Sequence, residues 1–369
     1  MHNLKIWNYL SIPWLVFTLT FFIIFFLLAF LVEIDSSYLS KNYLNKLFLN
    51  TVILSFGSAI LSAIIAVPLA ILVTFYKFPG HRFFSWSLSL SIAFPAYVYA
   101  FIYVGIFEYA SPISEYLRNF NITLPQIKNI YGASVIMSMA LFPYIFLLTK
   151  AHLRSVGIKS FKAAKSLGNN NITAIRKVII PSLWPTIIAG MALVVFETIA
   201  DFGGVSTLRI ETFTVGIYDA WFGYQSYFSA TRLAGYLLIF VFLIMFLAKY
   251  FGEKSSNLAS KTAETFQRIE TSPMVGLGVL FFCSFVFIIV FCLPTTQLII
   301  WNLSDSSSNI LSNLQLLINS SIVGLLASVI TVFFAIALAL SYKHSNILKS
   351  PILISSSGYA IPGSVISAG

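Results

Sequence analysis

Charge is scarce in this chain: Asp, Glu, Lys and Arg make up 9% of its 369 residues, while 58% are apolar. A soluble domain of that composition would expose apolar patches far larger than the roughly few hundred Å² a monomer tolerates. The bilayer must therefore be the solvent. Also missing is any Gly-Lys dipeptide, and with it the phosphate-cradling loop that ends in Gly-Lys-Ser or Gly-Lys-Thr. The chain is expected to carry no cofactor and not to hydrolyse ATP by itself. Cysteine is limited to Cys283 and Cys292, which a helix rising about 1.5 Å per residue separates by roughly 13 Å. They cannot bridge each other within that helix. The four histidines, His2, His81, His152 and His344, are scattered, and neither they nor the cysteines have the spacing of a metal site.

Apolar runs long enough to span about 30 Å as helices cover 11–32, 51–75, 84–107, 131–149, 181–202, 233–250, 273–292 and 316–342, and another starts at 351. That predicts eight spans and the beginning of a ninth in an all-α polytopic membrane protein. The first run is too long for a removable signal peptide and has no convincing small-residue cleavage site, so it reads as an uncleaved helix. Basic residues set the orientation. Lys77, His81 and Arg82 fall in one short connection, seven Lys and Arg residues between 150 and 177 in another, and Lys343 with Lys349 in a third. These belong to the cytoplasm. Connections with Glu33, Asp35, Lys41 and Lys46, or with Asp305, are balanced or acidic and face outward. This placement, set by topology, accounts for the +10 net charge and argues against a nucleic-acid partner.

The basic, acid-free stretch 150–180 contains FKAAKSLGNNNITAIRKVIIP over 161–181. It predicts a short helix over 160–167 with paired Ala163 and Ala164, a stop at Gly168, and a second amphipathic stretch ending at Pro181. A soluble partner could press on it. The pattern resembles the coupling loop of the transmembrane subunits of binding-protein-dependent ABC importers, with Ala163, Ala164, Gly168, Ile180 and Pro181 in register and Phe161 a further candidate contact. Lys162 stands where that family carries glutamate, a departure that touches one salt bridge to the ATPase. The resemblance implies an ABC importer permease fold in a bacterial inner membrane. It also implies a separate, dimeric ABC ATPase subunit that uses the ATP, and a periplasmic substrate-binding protein.

Two carboxylates, Glu197 and Asp201, lie four apart in the fifth apolar run, hence on one helical face. Acids at membrane depth are expensive and face a pathway or a partner. Counted from Pro181, they fall roughly 24 to 30 Å across, near the outer mouth. The run from Glu197 through Asp201, Phe202, Gly203 and Gly204 to Ser206 is similar to the same region of the iron(III) permeases. So are the segment Thr212 to Tyr218, the run Ala220-Trp221-Phe222-Gly223 and the segment Phe94-Pro95-Ala96-Tyr97. Iron(III), a hard cation, suits oxygen ligands, and Glu197, Asp201 and the outer tyrosines Tyr218, Tyr224 and Tyr227 are candidate transient contacts. Thiamine, polyamine, sulfate or phosphonate are alternative cargoes of the same class. An ion-coupled secondary carrier would need ionisable groups at the midplane and often inverted repeats.

The repeat here is parallel. Leu49-Asn50-Thr51-Val52-Ile53 is echoed by Ile318-Asn319-Ser320-Ser321-Ile322, and Ala93-Phe94-Pro95 with Val98 by Ala360-Ile361-Pro362 with Val365. The expected organisation is a first permease half over 1–251 with about six spans, a charged cytoplasmic linker over 252–272, and a partial second half over 273–369. The counterpart of Phe161 would fall beyond Gly369, so the second copy is expected to be incomplete.

Overall fold

A computed structural model of the chain describes residues 2–31, 40–252, 268–304, 310–345, 348–349, 351–352 and 363. Glu33, Asp35, Asp305, most of the 252–272 linker, the Ala360 to Val365 echo and nearly all of the ninth run lie outside those residues. The first helices are α1 (His2–Leu31), α2 (Lys41–Phe75), α3 (His81–Ser87), α4 (Ala96–Phe107), α5 (Pro112–Arg118) and α6 (Ile130–His152). They are followed by α7 (Ile158–Ser166), α8 (Asn171–Ala174), α9 (Ile180–Ala200), α10 (Gly203–Thr207), α11 (Phe213–Tyr218) and α12 (Tyr227–Gly252). The series closes with α13 (Pro273–Phe287), α14 (Leu293–Ser304) and α15 (Ile310–His344). One addition to the all-helical expectation is a two-residue parallel pair, β1 (Tyr76–Lys77) with β2 (Ile269–Glu270).

Seven described helical segments are long and apolar enough to cross a membrane, and a bent pair makes an eighth. The bent pair is the correction. The run 84–107 reads as one helix but breaks at Phe94 and Pro95, where His81–Ala93 and Ala96–Arg118 meet at 89°. Proline has no amide to donate to the preceding turn and forces extended backbone on its predecessor, and Phe94 is extended, with ψ 125°. Proline alone does not decide the matter, because Pro143 and Pro185 lie inside the continuous helices α6 and α9.

The centre of the molecule is α2 packed on α6 and α9, with α12 closing over them and α1 on α12 and α15. Small residues form the buried face of α2, among them Ser55, Ser58, Ala59, Ser62 and Ala66. They let the backbones approach until the Ser62 hydroxyl donates to the Ser138 carbonyl oxygen at 3.3 Å. The α1 surface is phenylalanine-rich, and Phe26 stacks on Phe242 of α12 while Trp14 stacks on Phe334 of α15. Two 35-residue helices, α2 and α15, carry the first sequence echo at equivalent positions.

A π-turn over Ile288–Cys292 joins α13 to α14. Such a turn leaves carbonyls without their usual helical donors, and two buried tyrosines of α4 supply them. Tyr103 donates to the Ile289 oxygen at 2.7 Å and Tyr99 to the Val290 oxygen at 2.5 Å. A buried hydroxyl in hydrocarbon needs such a partner, and the pairing clamps α13 and α14 to α4.

Candidate functional site

The basic stretch 150–180 is less a loop than two helical arms. From α6 the chain runs on through a π-turn over Leu153–Gly157 into α7, and a second π-turn over Ile175–Ile179 leads α8 into α9. Only residues 167–170 form a true turn. Gly168 sits there with φ +81°, a left-handed conformation that glycine adopts without a Cβ penalty, and its amide donates to the Lys165 oxygen at 3.0 Å. The Asn169 amide and side chain both donate to the Ala164 oxygen, at 3.2 and 3.1 Å. The Asn170 side chain then caps α8 by accepting the Thr173 amide at 2.7 Å.

One face of α7 docks on the protein: Ile158, Phe161 and Ala164 are buried, and the Phe161 ring packs on Phe75 of α2 with centroids 5.0 Å apart. Lys162 and Ala163 are exposed on the other face. Beyond them the turn presents two large apolar side chains to solvent, Leu167 at 83% and Ile172 at 73% exposure. Sequence reading passed over these two. Ile180 is half-buried and Pro181 exposed in the first turn of α9, where a missing amide costs nothing.

The orientation cues agree with one another. The basic end of α2, α3, the end of α6 with the π-turn after it, and Arg268 lie together: Lys77 bridges Glu270 at 2.9 Å, and Lys150 and Arg154 both reach Ser85. Acids at the opposite end are paired, Glu211 with Lys46 at 2.8 Å and Glu108 with Lys128 at 3.7 Å.

The second site is a cavity of about 270 Å³ bounded by Phe94, Pro95, Leu141, Tyr144, Glu197 and Asp201. The break at Pro95 and the paired carboxylates, separate signals in the sequence, thus face the same space. Tyr144 donates to Glu197 Oε1 at 3.3 Å. Asp201 ends α9, and its Oδ2 accepts the Gly204 amide at 2.8 Å. Close approach explains both glycines that follow. A Cβ on Gly203 would lie 2.8 Å from Tyr97 Cβ, and one on Gly204 would lie 2.4 Å from Asp201 Oδ2 and 2.5 Å from Met137 Cε.

The depth of this cavity corrects the sequence count. The first turns of α9 lie at or beyond the end of α6, since Thr186 meets His152, the last residue of α6, at 2.9 Å. From that level Glu197 is only about 16 Å along the helix. It faces Ala140, Leu141 and Tyr144 near the middle of α6, not the outer mouth. Glu197 thus lies about level with the middle of α6, the depth at which a secondary carrier would also place ionisable groups.

Phe202 lies outside the cavity and stacks on Tyr218 at 4.6 Å, which in turn meets Phe222 at 4.8 Å. Phe202, Tyr218, Glu211 and Asp219 line an outer hollow of about 340 Å³, where burial, and then the Glu211 charge, raises the Asp219 pKa. Tyr227 packs on Trp221 at 4.7 Å. Among the described residues no group of three or more His, Cys, Asp and Glu converges on a common point.

Comparison with known proteins gives the same picture. The family profile for the binding-protein-dependent transport system inner membrane component matches residues 66–257, a stretch that holds both sites. An iron(III)-transport system permease of Haemophilus influenzae is 25% identical over 309 residues, 80% of this chain and 57% of that protein. A sulfate transport system permease of Salmonella typhimurium is 26% identical over 155 residues, 42% of this chain and 55% of its own. A putative 2-aminoethylphosphonate permease of Salmonella typhimurium is 24% identical over 164 residues, 41% and 57% respectively. The chain thus spans little more than half the length of these relatives. With the profile covering more than half of this chain, and including the α7–α8 turn and the Asp201 cavity, the protein belongs to the binding-protein-dependent transport system inner membrane component family.

Proposed function

We propose that the chain is the membrane-spanning subunit of an ABC importer that takes iron(III) from a periplasmic binding protein and releases it to the cytoplasm. Energy comes from a separate pair of ATPase subunits. The observation that carries this reading is the α7–α8 turn: a rigid, Phe161-anchored projection on the basic side with Leu167 and Ile172 bared to solvent. Exposed leucine and isoleucine at the tip of a structured turn suit insertion into an apolar groove of a partner. Closure of two ATPase subunits around ATP would move the two helical arms, which run without a break into α6 and α9. Those same helices carry Tyr144, Glu197 and Asp201, so motion at the turn is carried along them to the cavity, which lies about 16 Å beyond the Thr186–His152 contact. In this organisation 1–251 is a first half, 252–272 a linker, and the chain from 273 begins a second half.

Two features favour iron over an oxyanion. Two carboxylates facing a 270 Å³ cavity attract a hard cation and repel sulfate or phosphonate at low dielectric. At similar identity, the likeness to the iron(III) permease also runs over 80% of the chain, against 42% for the sulfate permease. The test is uptake of radioactive iron by cells carrying the complete system, with sulfate uptake measured alongside. Wild type should take up iron and not sulfate, and Glu197→Gln/Asp201→Asn should lower iron uptake about tenfold or more while the protein stays in the membrane, since each factor of ten corresponds to roughly 1.4 kcal/mol. Sulfate uptake by wild type, or full iron uptake by the double variant, would contradict the assignment.

A further inference from the structure

Among the described residues, positive charge gathers without an acidic partner at one corner of the cytoplasmic end. Arg82 belongs to α3, Lys150 to the last turn of α6, Arg154 to the following π-turn, and Arg268 precedes β2. Three of them reach the Ser85 and His81 region, and Arg82 follows His81 in the chain. Lys150 donates to the Ser85 carbonyl oxygen, Arg154 contacts the Ser85 hydroxyl at 3.4 Å, and Arg268 lies 3.4 Å from His81 Nε2. The Arg268 Nε is buried with no hydrogen-bond partner. Glu270 lies two residues from Arg268, but its carboxylate bridges Lys77 at 2.9 Å. Among the described residues none of the four cations has a salt bridge. Burial, and then the like charges of Arg154 and Arg82, lower the Arg268 pKa. Arg82 and Arg154 are exposed and Lys150 and Arg268 half-buried, so the corner is open to an anion from its surroundings.

The surroundings say which anion. α3 carries Phe83 and Trp86 on the surface, 42% and 55% exposed, and Phe83 also packs on Phe287 of α13 at 5.3 Å. An exposed tryptophan beside cations, at the end of membrane-spanning helices, marks the headgroup level of the bilayer. Basic pockets between helices on the cytoplasmic side suit phospholipid headgroups. We infer that Arg82, Lys150, Arg154 and Arg268 form a site for the phosphate of an anionic phospholipid of the inner leaflet, with Phe83 and Trp86 flanking its acyl chains. The bound phosphate would neutralise the cluster where α3, the α6–α7 junction and β2 meet.

The experiment is native mass spectrometry of the purified full chain in mixed micelles, comparing phosphatidylglycerol, phosphatidylcholine and inorganic phosphate. Wild type should retain phosphatidylglycerol roughly tenfold better than phosphatidylcholine, and phosphate should not displace it. Arg154→Gln/Arg268→Gln should bind phosphatidylglycerol about thirty-fold more weakly. Arg154→Lys/Arg268→Lys, which keeps the charge, should retain most of the binding and so separates a lost site from a lost fold. Equal retention of both lipids, or wild-type affinity in the glutamine variant, would overturn the proposal. Displacement by inorganic phosphate would overturn the lipid assignment in favour of a free-anion site.

Discussion

Phe161→Ala should separate ATP hydrolysis from transport. The Phe161 ring is 4% exposed and sits against Phe75 of α2, so its removal strips α7 of its main anchor. Truncating a buried phenylalanine costs about 3 to 5 kcal/mol. On a peripheral helix that loss is expressed as local undocking rather than global unfolding, with the docked-to-undocked ratio falling about a hundredfold or more. The variant assembled with its ATPase in proteoliposomes is expected to hydrolyse ATP while uptake falls at least about tenfold, and the amides of α7 should exchange hydrogen faster. Phe161→Leu, which keeps an apolar side chain over Phe75, should retain most of the transport. An alanine variant that moves substrate like wild type would show that α7 need not be held on α2 for coupling.

Gly204→Ala should damage the cavity more than any other single methyl added nearby. The new Cβ would sit 2.4 Å from Asp201 Oδ2 and 2.5 Å from Met137 Cε, so either the carboxylate or the methionine must move. Overpacking of this kind costs about 1 to 3 kcal/mol, and displacing Asp201 also loses its bond to the Gly204 amide, about 1 kcal/mol more. The expected result is a less heat-stable protein, with a melting point lower by several degrees, and uptake near background. Gly223→Ala is the control: nothing lies within 4 Å of its added Cβ, and both stability and uptake should stay within error of wild type. Equal behaviour of the two variants would remove the close packing at Gly204 from the account.

Much of the architecture could be read from the sequence because length and composition fix it. An apolar run of membrane length has little choice but to be helical, and the eight expected spans that fall on described residues reappear as helices apart from the broken one at Pro95. The coupling pattern was readable because Gly168 has to adopt a positive φ and Phe161 has to face inward, which leaves residue types at fixed offsets. Glu197 and Asp201 were conspicuous as acids in an apolar run.

What escaped depends on contacts between distant segments. Pro13, Pro68, Pro95, Pro143 and Pro185 all lie inside apolar runs, and of these five only Pro95 breaks its helix, a distinction set by how neighbouring helices pack and not by the residue. The long-range partners of Tyr99 and Tyr103 exist because a π-turn about 190 residues away frees two carbonyls. Depth was misjudged because counting from Pro181 assumed that α9 enters the membrane there, whereas its first turns belong to the cytoplasmic arm. Leu167 and Ile172 were unremarkable as letters and became informative only when seen unburied at the tip of a turn.

The central claim is that this turn is the seat of the ATPase, and the direct measurement is co-purification of the cognate ATPase with the tagged chain. Wild type should retain the ATPase subunit in stoichiometric amount. Leu167→Asp/Ile172→Asp, which places two charges where an apolar groove must close, should lose it, while the chain remains in the membrane at wild-type level. Undiminished retention by the double variant would contradict the claim.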